Sequence, residues 1–161
     1  ANLANYDVLI FPSGKYPKSI VDSKELQSWT KNGGRMILIE SACNSFAGAD
    51  GYDLKEKAKP ETAKADLTKK YGEAMRESIS ESIPGSIFEV NLDNTHPLAY
   101  GYGSTMNLLI KSPNHYEYLV DGWNVGVLGQ FKSGFVGSKL QKTLKDVPVF
   151  AVQDKGRGKV I

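Results

Sequence analysis

The sequence predicts an α/β fold with a largely parallel sheet that has room for an antiparallel strand at its edge. Two apolar runs, residues 7–11 and 35–40, stand on either side of a helical pattern. Continuous apolar runs are typical of strands that are covered on both faces, as in parallel sheets. Strand, helix and strand joined by short links form a βαβ unit with a right-handed crossover. Further β-type runs follow residue 85.

The helix between the two apolar runs has start and stop signals in the sequence. Asp22 can cap the helix, and Glu25 three residues later completes a capping box. Val21 and Leu26 stand where a hydrophobic staple places its two apolar residues. Gly33 then provides the stop, because glycine is favoured just past the end of a helix.

Residues 50–85 differ in composition, since they are rich in Lys, Glu and Ala. Apolar residues recur there at every fourth position, which predicts a narrow helical stripe: Leu67, Tyr71, Met75, Ile79 and Ile83. Pro84 and Gly85 end this helix, and residues 51–60 are predicted to be an exposed loop. We interpret the segment as a solvated surface helix, the alternative being an inserted arm that contacts a neighbouring domain.

The rest of the chain is predicted to form strands. The length suits a single domain, 1–161. Four runs have β character: residues 86–92, 105–111, 123–129 and 147–153. Residues 154–159, "DKGRGK", are a glycine-rich turn that leads into Val160 and Ile161. This turn is not a Walker loop, because Gln153 stands where the first glycine of that motif belongs.

Charge and hydropathy limit the classes of function. Twenty basic and 18 acidic residues give a net charge of +2, which offers no reason to expect nucleic acid or an anionic membrane as a partner. No apolar run approaches the roughly 20 residues of a membrane-spanning helix. One cysteine cannot form an internal disulfide. The chain begins and ends inside β-type runs, so we expect a fragment of a longer polypeptide.

The stretch "ESACNSFAG", residues 40–48, contains the candidates for a nucleophile. A nucleophile elbow places its reactive residue at the sharp turn from strand to helix. The strand is predicted to end near Glu40, so the turn falls on Ser41 or Ala42 and Cys43 comes one or two residues late. A thiol also needs a base for activation. We therefore interpret Cys43 as a small buried residue with a structural role. The alternative is that Cys43 is a nucleophile.

The two histidines do not form a zinc motif. A metallopeptidase needs closely spaced ligands such as His-x-x-Glu. His96 is followed at the third position by Ala99, and His115 by Tyr118. We therefore expect each histidine to make structural hydrogen bonds, and we predict neither a metal nor another cofactor in this chain.

Several longer blocks resemble known proteins. "YDVLIFPSG" followed by "LQSWTKNGGRMILIES" resembles the core of class I glutamine amidotransferase-like domains. "IPGSIFEVNLDNTHPLAYGY", "DGWNVGVL", "SGFVGSKL" and "GRGKVI" resemble the C-terminal region of bacterial zinc carboxypeptidases of the carboxypeptidase A-like superfamily. Some large members of that superfamily carry an amidotransferase-like domain after the peptidase domain.

The resemblance implies a three-layer, flavodoxin-like fold and a non-catalytic accessory role. The domain would pack on an upstream peptidase domain of the same polypeptide, or assist it, and that domain would hold the zinc and the catalytic glutamate. The resemblance also implies a periplasmic or secreted protein. A fragment of this kind should expose an apolar patch or an open sheet edge near its termini, and should self-associate through it.

The chain departs from active amidotransferases at both catalytic positions. Those enzymes have a Gly-x-Cys-x-Gly elbow and a late His-x-Glu pair. Ser41 falls nearest the nucleophile position, Cys43 falls where a glycine should be, and His96 lacks the glutamate. Two alternatives to the accessory role remain open. The first is an active hydrolase or amidotransferase with Ser41 or Cys43 as nucleophile. The second is a carbohydrate- or peptide-binding module that uses exposed aromatic residues: Tyr100, Tyr102, Tyr116, Tyr118 and Trp123.

Overall fold

The computed structural model describes residues 2–58, 70–141, 143–144 and 146–161. The α-helices are α1 (Lys18–Val21), α2 (Lys24–Lys31), α3 (Ala42–Phe46) and α4 (Tyr71–Ser80). The strands are β1 (Val8–Phe11), β2 (Arg35–Leu38), β3 (Gly85–Leu92), β4 (Thr105–Ile110), β5 (Gly122–Phe135), β6 (Pro148–Lys155) and β7 (Gly158–Val160). Short 3-10 turns cover Leu3–Asn5 and Pro97–Ala99.

The strands form one open, mostly antiparallel seven-stranded sheet in the order β1-β2-β7-β6-β5-β3-β4. The predicted α/β class is confirmed. The prediction of a largely parallel sheet is wrong, because among the pairings described for residues 2–58, 70–141, 143–144 and 146–161 the parallel ones are β1 with β2 and β2 with β7. β7 pairs antiparallel with β6, and β3 pairs antiparallel with β4 and β5. The connections explain this result. Only two residues separate β6 from β7, and a parallel pair needs a crossover of a dozen or more residues.

The described residues group into two compact units, one of 2–56, 116–125 and 150–161, the other of 57–115 and 126–149. Whether the chain is one domain therefore stays a prediction.

In the first unit, the core lies on one face of β1, β2 and β7. Buried residues of α1, α2, α3, β2 and β7, together with one residue of the segment after α3, form this core: Val21, Leu26, Met36, Phe46, Val160 and Tyr52. On the opposite face, Val8 is 42% exposed and Ile10 is 60% exposed. The expectation that residues 7–11 are covered on both faces is therefore wrong for the described residues, because α1, α2 and α3 all contribute to the same cluster.

The N-cap of α2 is Ser23, one residue later than predicted. Its hydroxyl oxygen accepts a hydrogen bond from the Leu26 backbone N–H at 3.3 Å. Asp22 is the C-cap of α1, a one-turn helix that the sequence pattern did not indicate. Gly33 follows α2 with a φ of +125°, a conformation that glycine adopts without steric cost, so the predicted stop is confirmed.

The second unit has its core where β3, β4 and β5 meet the segment after β5. Buried residues of β3, of β5, of the segment after β5 and of the segment before β3 form one cluster, against which partly buried residues of β4 pack: Ile83, Phe88, Val90, Leu128, Val136, Leu140, Leu144 and Val147. The predicted surface helix is confirmed for residues 71–80, where Tyr71, Met75 and Ile79 are exposed. Its predicted extension to Pro84 is wrong, because the helix ends at Ser80 and Ile83 is buried in the core. Leu67 lies outside the described residues. The predicted exposed loop 51–60 is wrong at Tyr52, which is buried in the core of the first unit.

The glycine-rich turn lies against the end of α2. A Cβ atom on Gly158 would be 2.0 Å from the carbonyl oxygen of Thr30 and 2.2 Å from that of Gly34. Both neighbours are backbone atoms, so a side chain could fit only if the turn moved. The turn predicted from "DKGRGK" is confirmed, although β6 extends to Lys155 and leaves Gly156 and Arg157 as its two residues.

Gly158→Ala is expected to lower the free energy of unfolding by about 1–3 kcal/mol, the range for an overpacked site. Gly72→Ala in α4, where nothing lies within 4 Å of the added Cβ, should instead raise it by about 0.5–1 kcal/mol. Urea unfolding followed by circular dichroism measures both. Equal stability of the Gly158 variant and the natural protein would show that the turn does not pack against α2.

Candidate functional site

The carboxyl ends of β1 and β2 bring two serines together. Ser13 follows β1 and Ser41 follows β2, and their hydroxyl oxygens are hydrogen-bonded at 2.8 Å. β7 ends beside β2, where the Ile161 carbonyl accepts a hydrogen bond from the Leu38 N–H. Ligands of α/β sheets bind at the carboxyl ends of the strands. The carboxyl ends of β1, β2 and β7 are therefore a candidate ligand-binding edge.

The strained position of the strand-to-helix turn is Glu40. β2 ends at Leu38, α3 begins at Ala42, and Glu40 has a φ of +50°. Non-glycine residues with positive φ are uncommon and are often found at functional turns. The turn covers Glu40 and Ser41, so the expectation of a turn on Ser41 or Ala42 is correct at Ser41 and wrong at Ala42, which begins α3. Glu40 is exposed, and its carboxylate is the group that this turn presents to solvent.

Cys43 is half-buried on the first turn of α3. Its Sγ atom lies 3.7 Å from the Leu38 carbonyl oxygen, to which the thiol donates. Burial raises the pKa of the Cys43 thiol above its ordinary value. Because the thiolate is the nucleophilic form, this environment disfavours the reactive state.

A tyrosine hydroxyl lies beside Cys43. The Tyr116 hydroxyl donates a hydrogen bond to the Asn44 side-chain oxygen. Burial is the main cause that raises the pKa of Tyr116, with the negative charges of ionised Cys43 and of Glu56 as further causes. The neutral phenol is therefore the stable form of Tyr116 at neutral pH, and as a neutral group it cannot stabilise a neighbouring thiolate by charge.

Both histidines lie in the second unit and hydrogen-bond within their own loops. His96 is the N-cap residue of the Pro97–Ala99 turn, and its Nδ1 accepts a hydrogen bond from the Leu98 N–H at 3.2 Å. His115 is buried, with Nδ1 2.5 Å from the Pro113 carbonyl oxygen. These contacts are structural in kind, as the sequence predicted for both residues.

The five aromatic candidates differ in exposure. Tyr100, Tyr102, Tyr118 and Trp123 are exposed, whereas Tyr116 is partly buried. Trp123 on β5 donates its indole N–H to the Asp154 carboxylate at 3.1 Å. Tyr100 and Tyr102 are in one loop of the second unit, so they can present two rings close together.

A groove of about 560 Å³ in the first unit was missed by the sequence analysis. Aromatic, acidic and amide side chains line it, including Asn2, Tyr6, Asp7, Glu25, Trp29 and Asn32. The Trp29 indole N–H donates to the Tyr6 carbonyl at 3.0 Å, which ties the two walls together. Local sequence patterns contain little signal for this groove, because it combines residues 2–7 with the side of α2.

Metal-ligand clusters and membrane-spanning helices are both absent from the described part of the chain. Within residues 2–58, 70–141, 143–144 and 146–161, no cluster of three or more His, Cys, Asp or Glu side chains could hold a metal ion. None of the helices described there is long and apolar enough to cross a membrane.

Comparison with known proteins yielded no relative: no family model, no curated protein and no solved structure matched this chain.

Replacing Glu40 by glycine should stabilise the protein. Glycine adopts positive φ freely, whereas a residue held in a sparsely populated backbone region costs about 1–3 kcal/mol. Part of that gain is offset by the greater freedom of glycine in the unfolded chain. The matched control is Glu25→Gly in α2, which should destabilise by about 0.8–1 kcal/mol. Thermal melts measure both, and destabilisation by Glu40→Gly would contradict the assigned strain.

Cys43 should react slowly with a thiol reagent such as dithionitrobenzoate in the native protein and rapidly in urea. Because burial raises the pKa of the Cys43 thiol, the native rate should still be rising with pH at about 8.5, where the rate of an ordinary thiol begins to level off. Burial disfavours the charged thiolate, so its formation needs higher pH. Fast labelling at pH 7 would contradict this prediction and revive the nucleophile hypothesis.

Proposed function

We propose that this chain is a non-catalytic accessory domain of a zinc carboxypeptidase-like protein, which packs on or assists a peptidase domain of the same polypeptide. The sequence blocks that resemble the C-terminal region of such carboxypeptidases support this proposal. The zinc and its catalytic glutamate would belong to the peptidase domain. This chain would contribute contact surface, and its own residues would carry no step of the reaction.

The observation that carries the proposal is the identity of the residue at the strained turn. In active amidotransferases the strained elbow residue is the nucleophilic cysteine. Here that turn carries Glu40, and the nearest thiol, Cys43, comes three residues later with a pKa raised by burial. Ser41 is the next residue of this turn, and its hydroxyl is hydrogen-bonded to the hydroxyl of Ser13. An activated serine would instead be hydrogen-bonded to a general base.

The finer fold assignment belongs to the same proposal. We infer that β1, α2, β2 and β7 correspond to an amidotransferase-like, flavodoxin-like core. In a three-layer fold of that kind, the open face with Val8 and Ile10 would be covered by another part of the longer polypeptide. The parallel pairing of β1, β2 and β7 supports this assignment, because parallel sheets occur almost only with both faces covered. Family resemblance alone leads us to propose export to the periplasm or the medium.

A binding module is the second candidate function. The groove between the Leu3–Asn5 turn and α2 favours it, because exposed Tyr6 and partly buried Trp29 stand beside carboxylate and amide groups. Such a mixture of a ring and polar groups suits a sugar or a short peptide. Titration with oligosaccharides, followed by tryptophan fluorescence, would distinguish this function from a purely structural role.

The accessory role predicts that zinc binding and peptidase activity belong to the full-length polypeptide and not to residues 1–161 alone. That polypeptide should release C-terminal residues from peptides in a chelator-sensitive reaction and should contain one zinc ion. The chain of residues 1–161 alone should show neither property. It should also release no ammonia from glutamine, and Cys43→Ala and Ser41→Ala should leave this background unchanged.

Glutamine hydrolysis that disappears in the Cys43→Ala or Ser41→Ala variant would replace the accessory role with the amidotransferase alternative. A full-length polypeptide without zinc and without carboxypeptidase activity would overturn the family assignment.

A further inference from the structure

The outer edge of β1 has hydrogen-bonding groups that no other described strand uses. β1 is the first strand of the sheet and pairs with β2 alone among the described strands. The carbonyls of Asp7 and Phe11 accept from the N–H groups of Arg35 and Ile39. Backbone groups alternate in direction along a strand. Asp7, Leu9 and Phe11 therefore face β2, while the N–H and C=O groups of Val8 and Ile10 point outward.

Apart from its short length of four residues, this edge lacks the features that normally prevent strand pairing. Edge strands are commonly protected by lysine, proline, a bulge or a covering segment. The sequence of β1 is Val-Leu-Ile-Phe, and Pro12 follows only after the strand has ended. Val8 and Ile10 are 42% and 60% exposed, so the described segments leave much of both residues uncovered.

We propose that β1 pairs with β1 of a second copy of this chain, as an antiparallel two-fold dimer centred on Leu9. In antiparallel sheets, residues whose backbone groups point at the partner form the hydrogen-bonded pairs. The outward residues are Val8 and Ile10, so Val8 must face Ile10 of the second copy, and Leu9 must face Leu9. This register is self-complementary and makes four backbone hydrogen bonds. This inference concerns the chain itself and goes beyond the accessory role.

The side chains favour the same register. Val8 of one copy and Ile10 of the other lie side by side on the exposed face, where a cross-strand apolar pair is stabilising. Asp7 falls opposite Phe11, so no like charges face each other. Tyr6 would face Pro12, which has no N–H, and the Tyr6 carbonyl already accepts from Trp29. The pairing therefore stops at the four bonds between Val8 and Ile10.

The dimer should form only at high protein concentration. A four-residue strand offers an edge of about 14 Å, and its pairing buries much less than the roughly 1,600 Å² of a standard interface. The association should therefore appear as a concentration-dependent rise in mass, which sedimentation velocity and light scattering can follow in the purified chain.

Amide hydrogen exchange tests the register directly. The Leu9 and Phe11 amides bond within the sheet and should be protected at every concentration. The Val8 and Ile10 amides should exchange fast in dilute protein and become protected in concentrated protein. Protection of Val8 and Ile10 in dilute monomer, or fast exchange at all concentrations, would overturn the proposal.

Two variants at one position distinguish strand-edge pairing from nonspecific hydrophobic association. Ile10→Pro removes an outward N–H, and Ile10→Lys places two ammonium groups diagonally across the dimer. Each should raise the dissociation constant at least about tenfold, since like charges and lost bonds both oppose pairing. The matched control is Leu109→Lys on β4, the other edge strand, where Leu109 is 53% exposed.

The control variant should associate as the natural chain does. Ile10→Pro can also disturb folding. Ile10→Lys changes a side chain that is exposed in the monomer, so its effect on association can be measured without a loss of folding. A monomer at all concentrations would overturn the proposal, as would equal weakening by Ile10→Lys and Leu109→Lys.

Discussion

The burial of Phe46 is the constraint on which the first unit depends. Its ring is fully buried and makes edge-on contacts with Phe11 at 5.2 Å and with Tyr52 at 5.1 Å between centroids. Leu38, at the end of β2, packs against the same cluster. The chain must therefore leave the strand, reverse and begin α3 within three residues. That short reversal requires a positive φ, and Glu40 is the residue that adopts it.

The same reversal determines the chemistry at the carboxyl ends of the parallel strands. It turns the Glu40 carboxylate to solvent and leaves Cys43 on the inner side of α3, near the Leu38 carbonyl. The geometry of an elbow is thus present, while a carboxylate occupies its strained position and the only thiol has a pKa raised by burial. A strand-to-helix turn can persist for reasons of packing alone, because the aromatic cluster needs α3 in this place.

Local sequence patterns predicted many elements of the first unit, but they could not predict which strands pair or in which direction. The strands in the apolar runs 7–11 and 35–40 and the stop at Gly33 depend on neighbouring residues. They were predicted correctly, except that β2 ends at Leu38 and one face of β1 is exposed. The N-cap was missed because Asp22 and Ser23 are both good caps, and the one-turn helix before them decided between them. Strand direction was missed, although "SIFEVNL" alternates between buried positions and half-buried or exposed ones, a pattern typical of an antiparallel strand. The groove could not be seen, because it joins distant segments.

A double-mutant cycle between Phe46 and Glu40 tests most directly whether the buried ring holds the turn in its strained conformation. Phe46→Leu keeps an apolar side chain in the cluster but loosens the anchorage of α3. If that anchorage holds the strain, Glu40→Gly should stabilise the natural protein and gain little in the Phe46→Leu background. The interaction energy should then exceed the roughly 0.3–0.5 kcal/mol expected of independent sites. Additive effects within that limit would show that Glu40 adopts its conformation for reasons unrelated to the burial of Phe46.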